Sequence, residues 1–455
     1  MKWLLKLAFG RSDFKLFEAI RSISHNIHHS NIRLDSMSIL FFLGRWLPYS
    51  VAVGVATGAV ASLMDLFVVK INRFLSTDLI LFFVFPALVA AITGYAIRKV
   101  PETGGPGIGF AVLHLLRSRG FVQIRTLLYK LGVSILVLSG GFVAGREGPS
   151  FFLGIGLGEW IGRIYGFGKK YRNILGLIGG GAFTGALLKA PLGSSIFAME
   201  LEKMYDFDYR PFMPMIVAAI TSYLTFSFFR GNHAFIQLSH KAVWDMSSIP
   251  YIVLMGLIIA GVIYLYTLIF HFCLWFAKLI PSGRRPLVGT LLGIPLMMGL
   301  YWITQSTEIL SAPANMKILS TMAQHGFSVP VDIGIIVLTI FLTSLTLGFG
   351  IPGGLILPVL IIGTAVGNIF GHIFPNQLIM FTLAGMGAAL SAAAKTPLAA
   401  IVMITEMSHD DVVIPMTAAV ITSYIASFGY SLYLGQDNVF KGSLRDFTSH
   451  MTEPK

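Results

Sequence analysis

The first residue in this chain with a chemical claim is Glu147. It sits in the string Gly145-Arg146-Glu147-Gly148-Pro149, between an uncharged stretch from Leu131 to Ala144 and another from Ser150 to Gly158. Neither flank offers a polar patch that could hold a carboxylate at a water interface. At bilayer depth a carboxylate costs at least ~2.5–3.5 kcal/mol, so its default reading is functional. The glycines and proline beside it break the backbone there. An acidic group on an ion pathway is the chemistry this arrangement suggests.

Two further Gly-rich breaks match the one at Gly145 to Pro149. They are Gly104-Gly105-Pro106-Gly107-Ile108-Gly109 and Gly350-Ile351-Pro352-Gly353-Gly354-Leu355-Ile356-Leu357-Pro358. Glycine lets the backbone approach an ion closely, and successive N–H groups can form an anion nest. Any one of these glycines reads as helix packing. Three breaks together with Glu147 favour an anion site.

Other candidate chemistry is weaker. His28 and His29 lie in a polar N-terminal segment and read as solvated. His409-Asp410-Asp411 reads as a loop cap with no partner at metal-ligand spacing. Gly193-Ser194-Ser195 resembles a nucleophile turn, but no His or Asp is placed to activate it. Neither a metal, nor a cofactor, nor an enzymatic activity is expected. Cys273, the single cysteine, excludes an intramolecular disulfide and reads as a buried, inert thiol.

The elements that position these residues are membrane segments. The chain is 55% hydrophobic and 12% charged, against about 25% charged for a soluble domain. Mean hydropathy is +0.77. The net charge of +12 is not gathered on an aromatic-interleaved face, which argues against nucleic acid. Lys2, Lys6, Arg11, Lys15, Arg21, Arg33 and Arg45 precede the first clear span and argue for a cytoplasmic N-terminus. No convincing signal peptide is present, because Lys6 interrupts the apolar run. Apolar segments follow at about 46–69, 79–98, 122–144, 150–165, 172–188, 191–201, 211–229, 249–279, 286–304, 333–349, 355–372, 378–394, 396–407 and 412–434. Several are shorter than the ~20 residues of a spanning helix. Such short pieces are tolerated only where protein or a watery cavity satisfies the freed backbone groups. The stretch 305–331 is expected to be an extramembrane or interfacial loop.

An internal repeat organises the chain. Gly145, Gly148, Gly158 and Gly162 match Gly350, Gly353, Gly363 and Gly367 at an offset of 205. Gly179, Gly181, Ala182, Lys189, Pro191, Leu192 and Glu200 match Gly385, Gly387, Ala388, Lys395, Pro397, Leu398 and Glu406 at 206. The expected layout is a cytoplasmic amphipathic segment 1–45, a first membrane repeat 46–235, a linker 236–249, a second repeat 250–435 and a cytoplasmic tail 436–455. Broken segments in corresponding positions favour an inverted repeat with its site near the midplane. The fold class is thus all-α and polytopic.

The motifs, in order, resemble the CLC family of chloride channels and chloride/proton antiporters. Pro101-Glu102-Thr103-Gly104-Gly105-Pro106-Gly107-Ile108 is similar to the family's first anion-site segment, GSGIP. Gly145-Arg146-Glu147-Gly148-Pro149 matches its GREGP motif throughout. Gly353-Gly354-Leu355-Ile356-Leu357-Pro358 resembles its GxFxP segment. The resemblance runs from about residue 46 to 445. It implies a homodimer with one pore per subunit, inverted repeats, cytoplasmic termini and residence in a bacterial inner membrane. Candidate dimer surfaces lie on 191–229 and 396–434. Many members carry C-terminal CBS domains, for which this chain is too short. By the resemblance, Glu147 is a gating glutamate that occupies an anion site and leaves it on protonation. Gly105, Pro106, Gly107, Ile108, Arg146, Gly148, Leu355 and Ile356 belong to the anion site, with Leu355 and Ile356 offering backbone N–H groups. Arg146 anchors its segment or adds positive potential, or else simply faces water at a mouth. Chloride or another small anion and protons are the implied partners, besides membrane lipid.

Three departures qualify the resemblance. The family's central serine is Pro106 here, which has neither hydroxyl nor N–H; in the family this exchange accompanies a preference for nitrate in some members. The family's pore tyrosine aligns with Phe440, with Tyr433 as the alternative after a local shift. The position that hands protons to the cytoplasm in many exchangers is Leu201, between Glu200 and Glu202, which stand as low-weight substitutes for a relay. The intact Glu147 and the short chain favour a proton-coupled exchanger over a gated channel. A transporter of another anion, such as fluoride, is a further alternative.

Overall fold

The computed structural model describes residues 35–433, apart from 76–77, 110, 112–113, 115–121, 203–208 and 305–316. Residues up to Pro48 form one unit and Tyr49 onward another. The described residues are helical. In chain order the helices are α1 (Asp35–Leu75), α2 (Leu79–Lys99), α3 (Ile124–Ser139), α4 (Glu147–Ile164), α5 (Lys169–Leu188), α6 (Pro191–Glu202), α7 (Tyr209–Arg230) and α8 (Ile249–Ala277). They continue with α9 (Arg285–Thr304), α10 (Lys317–His325), α11 (Val329–Leu347), α12 (Ile356–Gly371), α13 (Leu378–Ala394), α14 (Pro397–Ser408) and α15 (Val413–Ala426).

Among the described residues, 7 helices are long and apolar enough to cross a membrane, and α12, α14 and α15 are shorter apolar helices. Short helices such as these need protein around their ends. Accordingly, α12 and α13 are sheathed by neighbours, and nearly every side chain in them is buried. The stretch 305–331, expected as a loop, contains α10. Its residues Ile318, Leu319, Met322 and Ala323 recur at helical spacing and are buried.

The repeat is present, with a different register in its first block. A Cβ on Gly154 would meet the Gly179 carbonyl at 2.2 Å, and one on Gly363 would meet the Gly385 carbonyl at 2.4 Å. Likewise Gly158 faces the Leu175 carbonyl and Gly367 that of Phe381. The second block therefore keeps its offset of 206 (385 − 179), while the first has 209 (363 − 154) and not 205. The difference of four is about one helical turn. Glycines recur every four residues at 154, 158 and 162, and again at 363, 367 and 371. A run of that period matches itself when slipped by a turn. The structural register aligns the starts of α4 and α12, Glu147 and Ile356 (356 − 147 = 209).

Corresponding ends repeat in detail. α5 and α13 both stop on a left-handed lysine, Lys189 at φ 54° and Lys395 at φ 59°. α6 and α14 both start on a proline at the first turn, where its missing N–H costs nothing.

Candidate functional site

The three Gly-rich breaks meet. The Gly105 N–H donates to the Gly350 carbonyl (2.9 Å) and the Gly107 N–H to that of Gly353 (3.4 Å). Pro106 lies opposite Gly353 in a parallel bridge. Gly145 and Gly354 exchange two hydrogen bonds, each 2.8 Å. In the repeat register these two are equivalents (354 − 145 = 209), so the halves touch through a self-matching pair. The backbone pairing satisfies groups that a broken helix leaves exposed. It also commits the N–H groups of Gly105 and Gly107 to chain pairing.

Glu147 opens α4 and is 1% exposed. Its Oε1 accepts from the Leu357 N–H at 3.0 Å, and the Ile356 N–H bears on the same carboxylate. Its Oε2 has no hydrogen-bond partner among the described residues. The carboxylate thus lies at the first turn of α12. Free N–H groups and the positive dipole end favour an anion there. The fit is close: a Cβ on Gly145 would stand 2.0 Å from Oε1, and one on Gly354 2.5 Å from Cδ.

Two tyrosines lie within electrostatic reach of this carboxylate, Tyr266 and Tyr433. The Tyr266 hydroxyl donates to Thr343 Oγ1 at 2.7 Å. Tyr433 is 2% exposed, and its hydroxyl has no hydrogen-bond partner among the described residues. The Leu432 N–H holds the segment to the Ala393 carbonyl at the end of α13. Phe440 lies outside the described residues.

Arg146 turns away from the carboxylate. Its guanidinium pairs with Asp65 of α1 at 2.5 Å, and Arg230 of α7 takes the other oxygen at 2.6 Å. Asp65, Arg146, Lys189, Arg230 and His233 line a cavity of about 190 Å³. The anchoring reading of Arg146 matches this geometry.

Several buried polar groups escaped the sequence reading. Lys130 is fully buried in α3. Its Nζ donates to the Thr103 carbonyl (2.9 Å), with those of Glu102 and Gly105 at 3.5 Å. It therefore pins the turn that carries Pro106. Its signal was a lone lysine in an apolar span. Glu200 and Glu406 are equivalent caps across the repeat. Glu200 accepts from the N–H groups of Leu398 (3.2 Å) and Ala399 (2.9 Å) at the start of α14. Glu406 accepts from Leu192 (3.1 Å) and Gly193 (2.7 Å) at the start of α6. Both oxygens of Glu200 are thereby occupied. The Glu202 side chain lies outside the described residues.

A profile of the family described as "Voltage gated chloride channel" matches residues 89–427. The chain belongs to this family. It is 28% identical over 368 residues to the H(+)/Cl(-) exchange transporter ClcA of Yersinia pestis bv. Antiqua (strain Angola), covering 77% of this chain and 76% of that one. A protein of the same name from Vibrio cholerae serotype O1 (strain M66-2) is 27% identical over 362 residues, covering 76% and 75%. The fold is similar to that of a CLC-type fluoride/proton antiporter (TM-score 0.74, 19% identity, 86% of this chain and 97% of that one). It is also similar to a slow cyanobacterial Cl-/H+ antiporter (TM-score 0.71, 21% identity, 89% and 99%). The all-α, inverted-repeat architecture of the voltage-gated chloride channel family is therefore that of this chain.

Proposed function

We propose that this integral membrane protein exchanges chloride or a related small anion for protons, with Glu147 as both gate and proton carrier. The observation that carries this reading is the Glu147 carboxylate at the N-terminus of α12, where an anion would bind. The relatives named as H(+)/Cl(-) exchange transporters support it. Like charges cannot share one site of low dielectric. While ionised, Glu147 holds the site against an incoming anion. Protonation removes its charge and weakens its hold on the Ile356 and Leu357 N–H groups. An anion then takes those donors, and the acid swings out with its proton. Alternation of the two occupants couples their flows.

Tyr433, rather than Phe440, supplies the pore hydroxyl in this reading; its buried oxygen near Glu147, without a hydrogen-bond partner among the described residues, supports the choice. Pro106 supplies neither hydroxyl nor N–H. One lost hydrogen bond is worth ~0.5–1.5 kcal/mol, which weakens chloride preference and leaves nitrate a competitive substrate. Glu200 takes no relay role, since it caps α14. The cell membrane of a bacterium and a homodimer through α6, α7, α14 and α15 complete the proposal. Exposed Leu192, Ile220, Leu224, Phe228, Ile421 and Ile425 on those helices are available to the partner.

The deciding experiment uses purified protein in liposomes. An imposed chloride gradient should drive protons uphill, and Glu147→Ala should abolish proton movement while anion flux persists. Robust anion flux with no proton movement in the unmodified protein means a channel.

A further inference from the structure

We infer that Glu159 and His114 form the proton-transfer station that links Glu147 to the cytoplasm, where Leu201 supplies no carboxylate. This rests on the exchange reading above. Glu159 lies on α4, the helix that Glu147 opens. Its carboxylate is 1% exposed and the His114 imidazole 17%. His114 Nε2 lies 3.0 Å from Oε1 and 3.3 Å from Oε2, and the Val122 N–H donates to Oε2 at 2.9 Å. The imidazole is thus partly exposed while the carboxylate is not.

The side of the membrane follows from charge. Just beyond Glu159, the end of α4 and the start of α5 carry Arg163, Lys169, Lys170 and Arg172 with no acidic residue among them. A short basic connection of this kind is cytoplasmic. Twelve residues separate Glu147 from Glu159, about 18 Å along a helix. The pair thus stands at the cytoplasmic end of the helix whose other end holds the gate. Charged groups on elements around α4 include the Glu102 carboxylate, which accepts from Thr126 Oγ1 of α3 at 3.1 Å, and two cations. Lys130 of α3 lies over the Phe152 ring at 5.4 Å, two turns towards the gate, and Arg172 of α5 packs at Gly162.

The step is a simple proton relay. Cytoplasmic water protonates His114. The imidazolium gives its Nε2 proton to a Glu159 oxygen, leaving a neutral imidazole and a neutral acid. The acid passes the proton to water on the way to Glu147 and returns to the carboxylate. In reverse, the same steps carry protons out of the site.

Packing alone does not demand a carboxylate here. The corresponding position in the second repeat is Asn368 (368 − 159 = 209), whose amide nitrogen lies 3.4 Å from Asp332 Oδ1. A neutral amide fits this place in the architecture, so Glu159→Gln is a tolerable change. In liposomes, Glu159→Gln should lower proton flux per anion at least about tenfold, less than the ~10²–10⁴-fold that a positioned acid–base group contributes, with anion flux largely kept. Glu159→Asp, which keeps the carboxylate, should retain most of the coupling. Unchanged coupling in Glu159→Gln overturns the inference alone, as does a parallel fall of both fluxes. Absence of proton movement in the unmodified protein overturns the exchange reading first and this inference with it.

Discussion

At the scale of single residues, the proposed exchange is a contest between Glu147 and an anion for a few N–H groups at the start of α12. Gly145 matters because its missing Cβ leaves room for the Glu147 carboxylate, and the atoms such a Cβ would meet all belong to that flexible side chain. Gly145→Ala should push the carboxylate off α12 and leave the path open. Anion flux should then depend less on pH, and adding Glu147→Ala should change it little; additive effects would contradict a shared cause. Tyr433→Phe removes a hydroxyl that has no hydrogen-bond partner among the described residues. Chloride affinity, measured by titration calorimetry, should fall by roughly 0.5–1.5 kcal/mol. Pro106→Ser restores a hydroxyl beside Gly353 and should raise the chloride-to-nitrate flux ratio. A strong chloride preference unchanged by that substitution would refute the selectivity argument.

At the scale of elements, helix ends decide the architecture. The Glu200 and Glu406 caps predict that Glu200→Ala and Glu406→Ala each cost about 1–2 kcal/mol, read as loss of thermal stability in detergent. Similar costs for the two would reflect their equivalent places. Much of this organisation was legible in the sequence, because Gly and Pro punctuate the chain where helices break. The three breaks, Glu147 and the Lys-x-Pro-Leu block identify themselves by local chemistry. The register of the first block did not, since glycines spaced by four permit a slip of one turn. Nor could the sequence pair Asp65 with Arg146 or His114 with Glu159. Those partners lie 81 and 45 residues apart, and only packing brings them together. Spacing in the tail also left Tyr433 and Phe440 as alternatives, and of the two only Tyr433 lies among the described residues, where it is buried. Among the pairings, Asp65→Asn would leave the buried Arg146 guanidinium, and the half-buried one of Arg230, without their carboxylate. It should cost ~3–5 kcal/mol and lower the yield of folded protein.

At the scale of the whole molecule, two halves of like design are joined by exchange. Each gives the other a cap, and both give one strand-like pair, Gly145 with Gly354. Displacing the second half's break therefore disturbs the turn that carries Glu147 directly. The reciprocal caps also bear on how the protein is made. The start of α6 receives its carboxylate from Glu406, 213 residues later in the chain. While the ribosome is still translating the linker 236–249, the first half is already emerging with that helix end unsatisfied. It must wait for its complement before it can settle. Two separately synthesised fragments divided in that linker should accordingly be unstable alone and recover transport when produced together in one cell.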